Sequence, residues 1–93
     1  MTPEGKVQAD IMKHAYDEGF LTLRFEVMGQ AGYPDLMFIG FNTVGFMEVK
    51  KAGETPTSLQ AHRLMKINKH GVLATYCDRL DDAEDFINVL KSG

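Results

Sequence analysis

Two short apolar runs flank a turn in the middle of the chain, and both carry charge at the end away from it. Asp35 opens Leu36-Met37-Phe38-Ile39, while Glu48 and Lys50 close Val44-Gly45-Phe46-Met47. Asn42-Thr43 lies between the runs with Gly40 and Gly45 beside it, a pattern that predicts a tight turn joining antiparallel strands. Such a hairpin brings its ends together. Asp35 and Glu48 stand at similar distances from the turn, and neighbouring strands are about 5 Å apart, so the two carboxylates meet. Side chains alternate along a strand, so Lys50 shares the Glu48 face and Val49 points the other way. Two carboxylates placed opposite each other repel. A hard divalent cation such as Mg²⁺, which takes carboxylate, water and phosphate oxygens, is the natural partner for the pair.

The rest of the chain supplies elements around this hairpin. Residues 4–18 read as a helix, with Val7, Ile11 and Ala15 at steps of four and Gly19 as its stop. Glu4 in its first turn takes two readings, as a complement to the helix dipole or as a member of the site. Residues 20–28 alternate, with Leu21, Leu23, Phe25 and Val27 on the expected buried face of a first strand. Gly29-Gln30-Ala31-Gly32 gives a flexible connection into residues 36–41, whose continuous apolar character predicts a central strand covered on both faces. Thr57 or Ser58 caps a helix that ends at Gly71, residues 72–76 form the last strand, and Asp81-Asp82-Ala83-Glu84 caps a final helix. Gln60 reads as a capping-box amide bonded back to the Thr57 backbone. The order is α-β-β-β-α-β-α, an α/β chain with a mixed sheet flanked by helices.

Pro34-Asp35 and Glu48-Val49-Lys50 resemble the paired motifs of the PD-(D/E)XK nuclease superfamily. Gly32 before the first motif, Leu36 after it, and Ser58-Leu59-Gln60 ahead of the second helix make the chain similar to the VRR-NUC family, over roughly Glu4 to Tyr76. The resemblance implies a restriction-endonuclease-like core and hydrolysis of phosphodiester bonds with Mg²⁺ or Mn²⁺. Asp35, Glu48 and the Val49 carbonyl would bind the metal, Lys50 would orient or help deprotonate the attacking water, and Gln60 would hold a water or a phosphate. It favours the site reading of Glu4, as a second metal ligand or an organiser of water. Likeness to small stand-alone phage and bacterial members implies a DNA endonuclease acting on branched DNA, including four-way (Holliday) junctions. A homodimer would supply the two cuts such a junction needs.

Ninety-three residues fit one domain, residues 1–93. The net charge of -3 argues against a general nucleic-acid coat. Charge is segregated, however: residues 50–70 carry +4 and residues 78–85 carry -4. Lys51, Arg63 and Lys66 are therefore the expected DNA phosphate contacts, although lysines on a helix also serve simply as a solvated face. Cys77 is the single cysteine, which excludes an internal disulfide and points to a reducing, intracellular setting, and the family resemblance implies the cytoplasm of a bacterial or phage-infected cell. No apolar run approaches the ~20 residues that span a bilayer, and no secretory signal core is visible. His14, His62 and His70 lack the spacing of a metal constellation. Several large apolar residues, Phe38, Phe41, Phe46 and Phe86 among them, exceed what one small core readily takes, a surplus that agrees with a dimer without naming its interface. Two rival readings are a non-cleaving DNA-binding or assembly module on the same fold and a small metal-dependent hydrolase of another phosphate ester.

Overall fold

Thr2 starts the first element by accepting the Gly5 amide on its hydroxyl, and Pro3 fills the first helical position, where its missing N–H costs nothing. The computed structural model describes residues 1–93 in the order α1 (Pro3–Asp17), β1 (Leu21–Arg24), β2 (Leu36–Gly40), β3 (Thr43–Val49), α2 (Ser58–Lys69), β4 (Leu73–Cys77) and α3 (Leu80–Lys91). The element order is the expected one. Strands pair β1-β2-β3-β4, antiparallel except for the parallel β3-β4 pair, so the sheet is mixed. The α2 helix serves as the crossover between the two parallel strands.

One face of the sheet carries the core. Ile11 and Ala15 of α1 and Ala83, Ile87 and Leu90 of α3 pack on Leu36, Phe38, Met47, Val49 and Cys77. Gly45 sets how closely α3 approaches, since a Cβ there would stand 2.7 Å from Leu90 Cδ1. On the other face, α2 packs against β4 and buries Leu64, and the Asn68 side chain both donates to the Ala74 carbonyl and accepts its amide. None of the helices is long and apolar enough to cross a membrane.

Several expectations change. The turn is Phe41-Asn42, both at positive φ (54° and 59°), and not Asn42-Thr43. This two-residue geometry matches strand twist, and the Phe41 ring is held against Phe20 at 5.1 Å. The first strand stops at Arg24, four residues early, where the chain turns away into a loop with Gly29 and Gly32 at positive φ. Its apolar row is also inverted: Thr22 pairs with buried Phe38 on the covered face, leaving Leu21, Leu23 and Ile39 exposed, so β2 is not covered on both sides. Phe38 and Phe86 belong to the core and are not surplus to it. Finally, Arg79 precedes α3 without a side-chain cap, and Asp81 and Asp82 lie inside its first turn, where they complement the helix dipole.

Candidate active site

The β2-β3 register sets the geometry. Continuing the pairs Phe38↔Gly45 and Leu36↔Met47 by one step places Asp35 opposite Glu48. Asp35 is held at both levels: its carbonyl accepts the Phe25 amide at 2.7 Å, and its Oδ2 accepts the Val49 amide at 2.9 Å. Glu48 is 4% exposed. Its Oε2 accepts from Gln60 Nε2 at 3.2 Å and lies 3.7 Å from Lys50 Nζ, whereas its Oε1 is buried without a hydrogen-bond partner.

Burial pushes the Glu48 carboxyl up to about 7 from an ordinary 4.5. The charge and hydrogen bond of Asp35 and the charge of Glu4 act in the same direction, and the Lys50 ammonium opposes them. A buried carboxylate with a free oxygen, facing a second carboxylate, offers the hard oxygen donors that Mg²⁺ and Mn²⁺ prefer. Asp35 and Glu48 are thus donors of the kind such an ion takes. No group of three or more His, Cys, Asp or Glu side chains is arranged to hold one unaided, so backbone, water or phosphate oxygens would complete the shell.

No protein-family model matches the sequence, and no curated protein matches it. Solved structures do match in shape. One described as "VRR_NUC domain" superimposes with a TM-score of 0.86 and 24% identity, over 95% of this chain and 97% of its own. Another, "VRR_NUC domain protein", gives 0.79 and 22%, over 98% of this chain and 89% of its own. The chain has the VRR_NUC fold. Its three helices and four-stranded mixed sheet form the restriction-endonuclease-like arrangement.

Within this VRR_NUC fold, Asp35, Glu48, Lys50 and Gln60 come together at one end of the sheet. Gln60 forms the expected capping box, its Oε1 accepting the Thr57 amide, while its Nε2 donates to Glu48. Glu4 sits exposed on the first turn of α1, acting on Glu48 through its charge. Of the expected phosphate contacts, Lys51 is exposed and 3.9 Å from Glu54. Arg63 instead stacks over the Tyr33 ring at 4.4 Å and lines, with Lys66 and His70, a cavity of about 380 Å³. His62 is exposed on α2.

Three residues of the VRR_NUC fold's pocket region escaped the sequence reading. Tyr33 walls both the Arg63 cavity and a second cavity of about 330 Å³ that reaches Asp35, and Arg24 and Gln8 line the latter. Tyr33 was signalled only by directly preceding Pro34-Asp35. Arg24 was one polar residue in an alternating strand, and nothing local marks its contact with Gln8, sixteen residues away.

Proposed function

We propose that this chain is a metal-dependent endodeoxyribonuclease of the VRR-NUC family that hydrolyses phosphodiester bonds in branched DNA, four-way junctions included. The observation that carries the reading is the Asp35-Glu48 pair: opposed carboxylates, one buried with an unsatisfied oxygen, beside a lysine 3.7 Å away. Such a pair is costly for folding and suited to holding a cation. A bound Mg²⁺ or Mn²⁺ supplies Lewis acidity at the phosphoryl oxygen and a lowered pKa for water.

The chain's own groups do the rest. Asp35, Glu48 and the Val49 carbonyl would hold the ion, with Asp35 fixed by the Val49 amide and Glu48 by Gln60. The Lys50 ammonium would orient the attacking water and offset charge at the phosphate, and Glu4 would help hold a second ion or order water. Arg63 and Lys66, neither paired with a carboxylate, and Lys51 hold backbone phosphates, which positions DNA without reading its sequence. Two copies act as a homodimer through the open sheet face that presents Leu21, Leu23 and Ile39. The buried, unpaired Cys77 suits a reducing cytoplasm.

The test is incubation with linear duplex, flap and four-way-junction DNA in Mg²⁺, Mn²⁺ and Ca²⁺. Cutting of the branched substrates in the first two metals supports the reading. DNA binding without cutting in any metal supports a non-cleaving module instead.

A further inference from the structure

Arg24 carries a charge without an acidic partner in a cavity that reaches Asp35. It pairs in register with Leu36, the residue after Asp35, and lines the cavity of about 330 Å³ together with Gln8, Phe25, Gln30, Tyr33 and Asp35. Its guanidinium accepts no carboxylate partner, although Glu26 borders the same cavity. One Nη instead donates to the neutral Gln8 Oε1 at 2.9 Å. Most lysines and arginines of the chain are matched with an acid; Arg24, Arg63, Lys66 and Lys69 are not. Three of these four line the two cavities that share Tyr33 as a wall. A planar guanidinium held by a neutral amide keeps its full charge and most of its five donors for a bidentate anion.

We propose that the Arg24 cavity is a nucleotide subsite, in which the guanidinium, oriented by Gln8, takes the non-bridging oxygens of the phosphodiester next to the one being cut. The adjoining nucleoside lies against Phe25 and Tyr33, whose rings stand 6.5 Å apart edge to face. Arg63 and Lys66 hold the same strand on the other side of Tyr33. The strand thus passes Asp35 between two cationic anchors. This assignment rests on the nuclease reading for its role, but the binding itself does not require cleavage.

The experiment titrates the 5′-phosphorylated dinucleotide pTpT into the protein in EDTA and follows the backbone amides of Phe25, Gln30, Gly32 and Tyr33 by NMR. Saturable shifts are expected there. Arg24→Gln should weaken binding about tenfold or more, the scale of a charged hydrogen bond. Gln8→Glu is the sharper variant, since it keeps the bond to Arg24 yet converts it into an ion pair, and it should weaken binding comparably with an unchanged circular dichroism spectrum. Shifts that are absent or lie elsewhere, or an affinity within twofold of wild type in both variants, overturn the subsite. Should Arg24→Gln fail to fold, Gln8→Glu and Arg24→Lys carry the same decision. Cavity binding by a protein that cuts no DNA sinks the nuclease reading and leaves the subsite standing; cutting without these shifts does the reverse.

Discussion

A single amide ties the second helix to the buried acid: Gln60 accepts the Thr57 amide at 2.9 Å on Oε1 and donates to Glu48 Oε2 at 3.2 Å from Nε2. The start of α2 and the buried carboxylate are therefore joined through one side chain. Gln60→Ala should cost about 1 kcal/mol, the usual worth of a helix cap. Gln60→Glu keeps an oxygen for Thr57 but sets a third carboxylate against Glu48. Its urea midpoint should therefore fall further below wild type at pH 8 than at pH 5, and equal losses at both would contradict this.

Glu48 makes the metal-free protein pH-sensitive. Its carboxyl titrates near 7 in the fold against an ordinary 4.5, so the fold holds a proton that the unfolded chain releases between those values. The contribution to stability is full below about pH 4.5 and is lost as pH rises through about 7. The loss is on the order of 3 kcal/mol. Glu48→Gln should flatten this part of the profile, as read by urea denaturation in EDTA. A wild-type profile with no decline between pH 5 and 8 would contradict it.

Asp35 has a structural duty as well as a chemical one. Asp35→Asn retains an oxygen for the Val49 amide, whereas Asp35→Ala leaves that amide unpaired at a cost of about 1–2 kcal/mol. Asp35→Asn and Lys50→Ala should keep native circular dichroism while losing cleavage. Unfolding of both would make these residues structural.

The sheet face bearing Leu21, Leu23 and Ile39 predicts association. Light scattering at micromolar concentration should report about twice the chain mass of 10.4 kDa, and Leu23→Lys should return it to the monomer. A wild-type monomer that still cuts both strands of a junction in one binding event would refute the dimer.

The hairpin was legible because a local pattern fixes it, and even the misplaced turn did little harm. Centring the turn on Phe41-Asn42 and not Asn42-Thr43 moves the register by two residues, which keeps every side chain on its face. Asp35 consequently meets Glu48 directly, with Lys50 beside it. What was not legible depends on tertiary packing. Alternation in β1 gave the period but not which face the helices cover, so Leu21 and Leu23 were assigned to the wrong side. Likewise, Arg24 reaches Gln8 only because α1 packs beside β1, a contact no spacing rule announces.

The most direct measurement compares strand cleavage of a four-way junction by wild-type protein and Glu48→Gln, in Mg²⁺ and in Mn²⁺, at equal concentration and with equal folding verified. Removing one of the two carboxylates takes away a charged ligand that a hard ion needs, so the variant should cut at least about a thousandfold more slowly than wild type, the equivalent of roughly 4 kcal/mol of barrier. Equal cleavage by the two proteins, or no cleavage by wild type in either metal, would contradict the account.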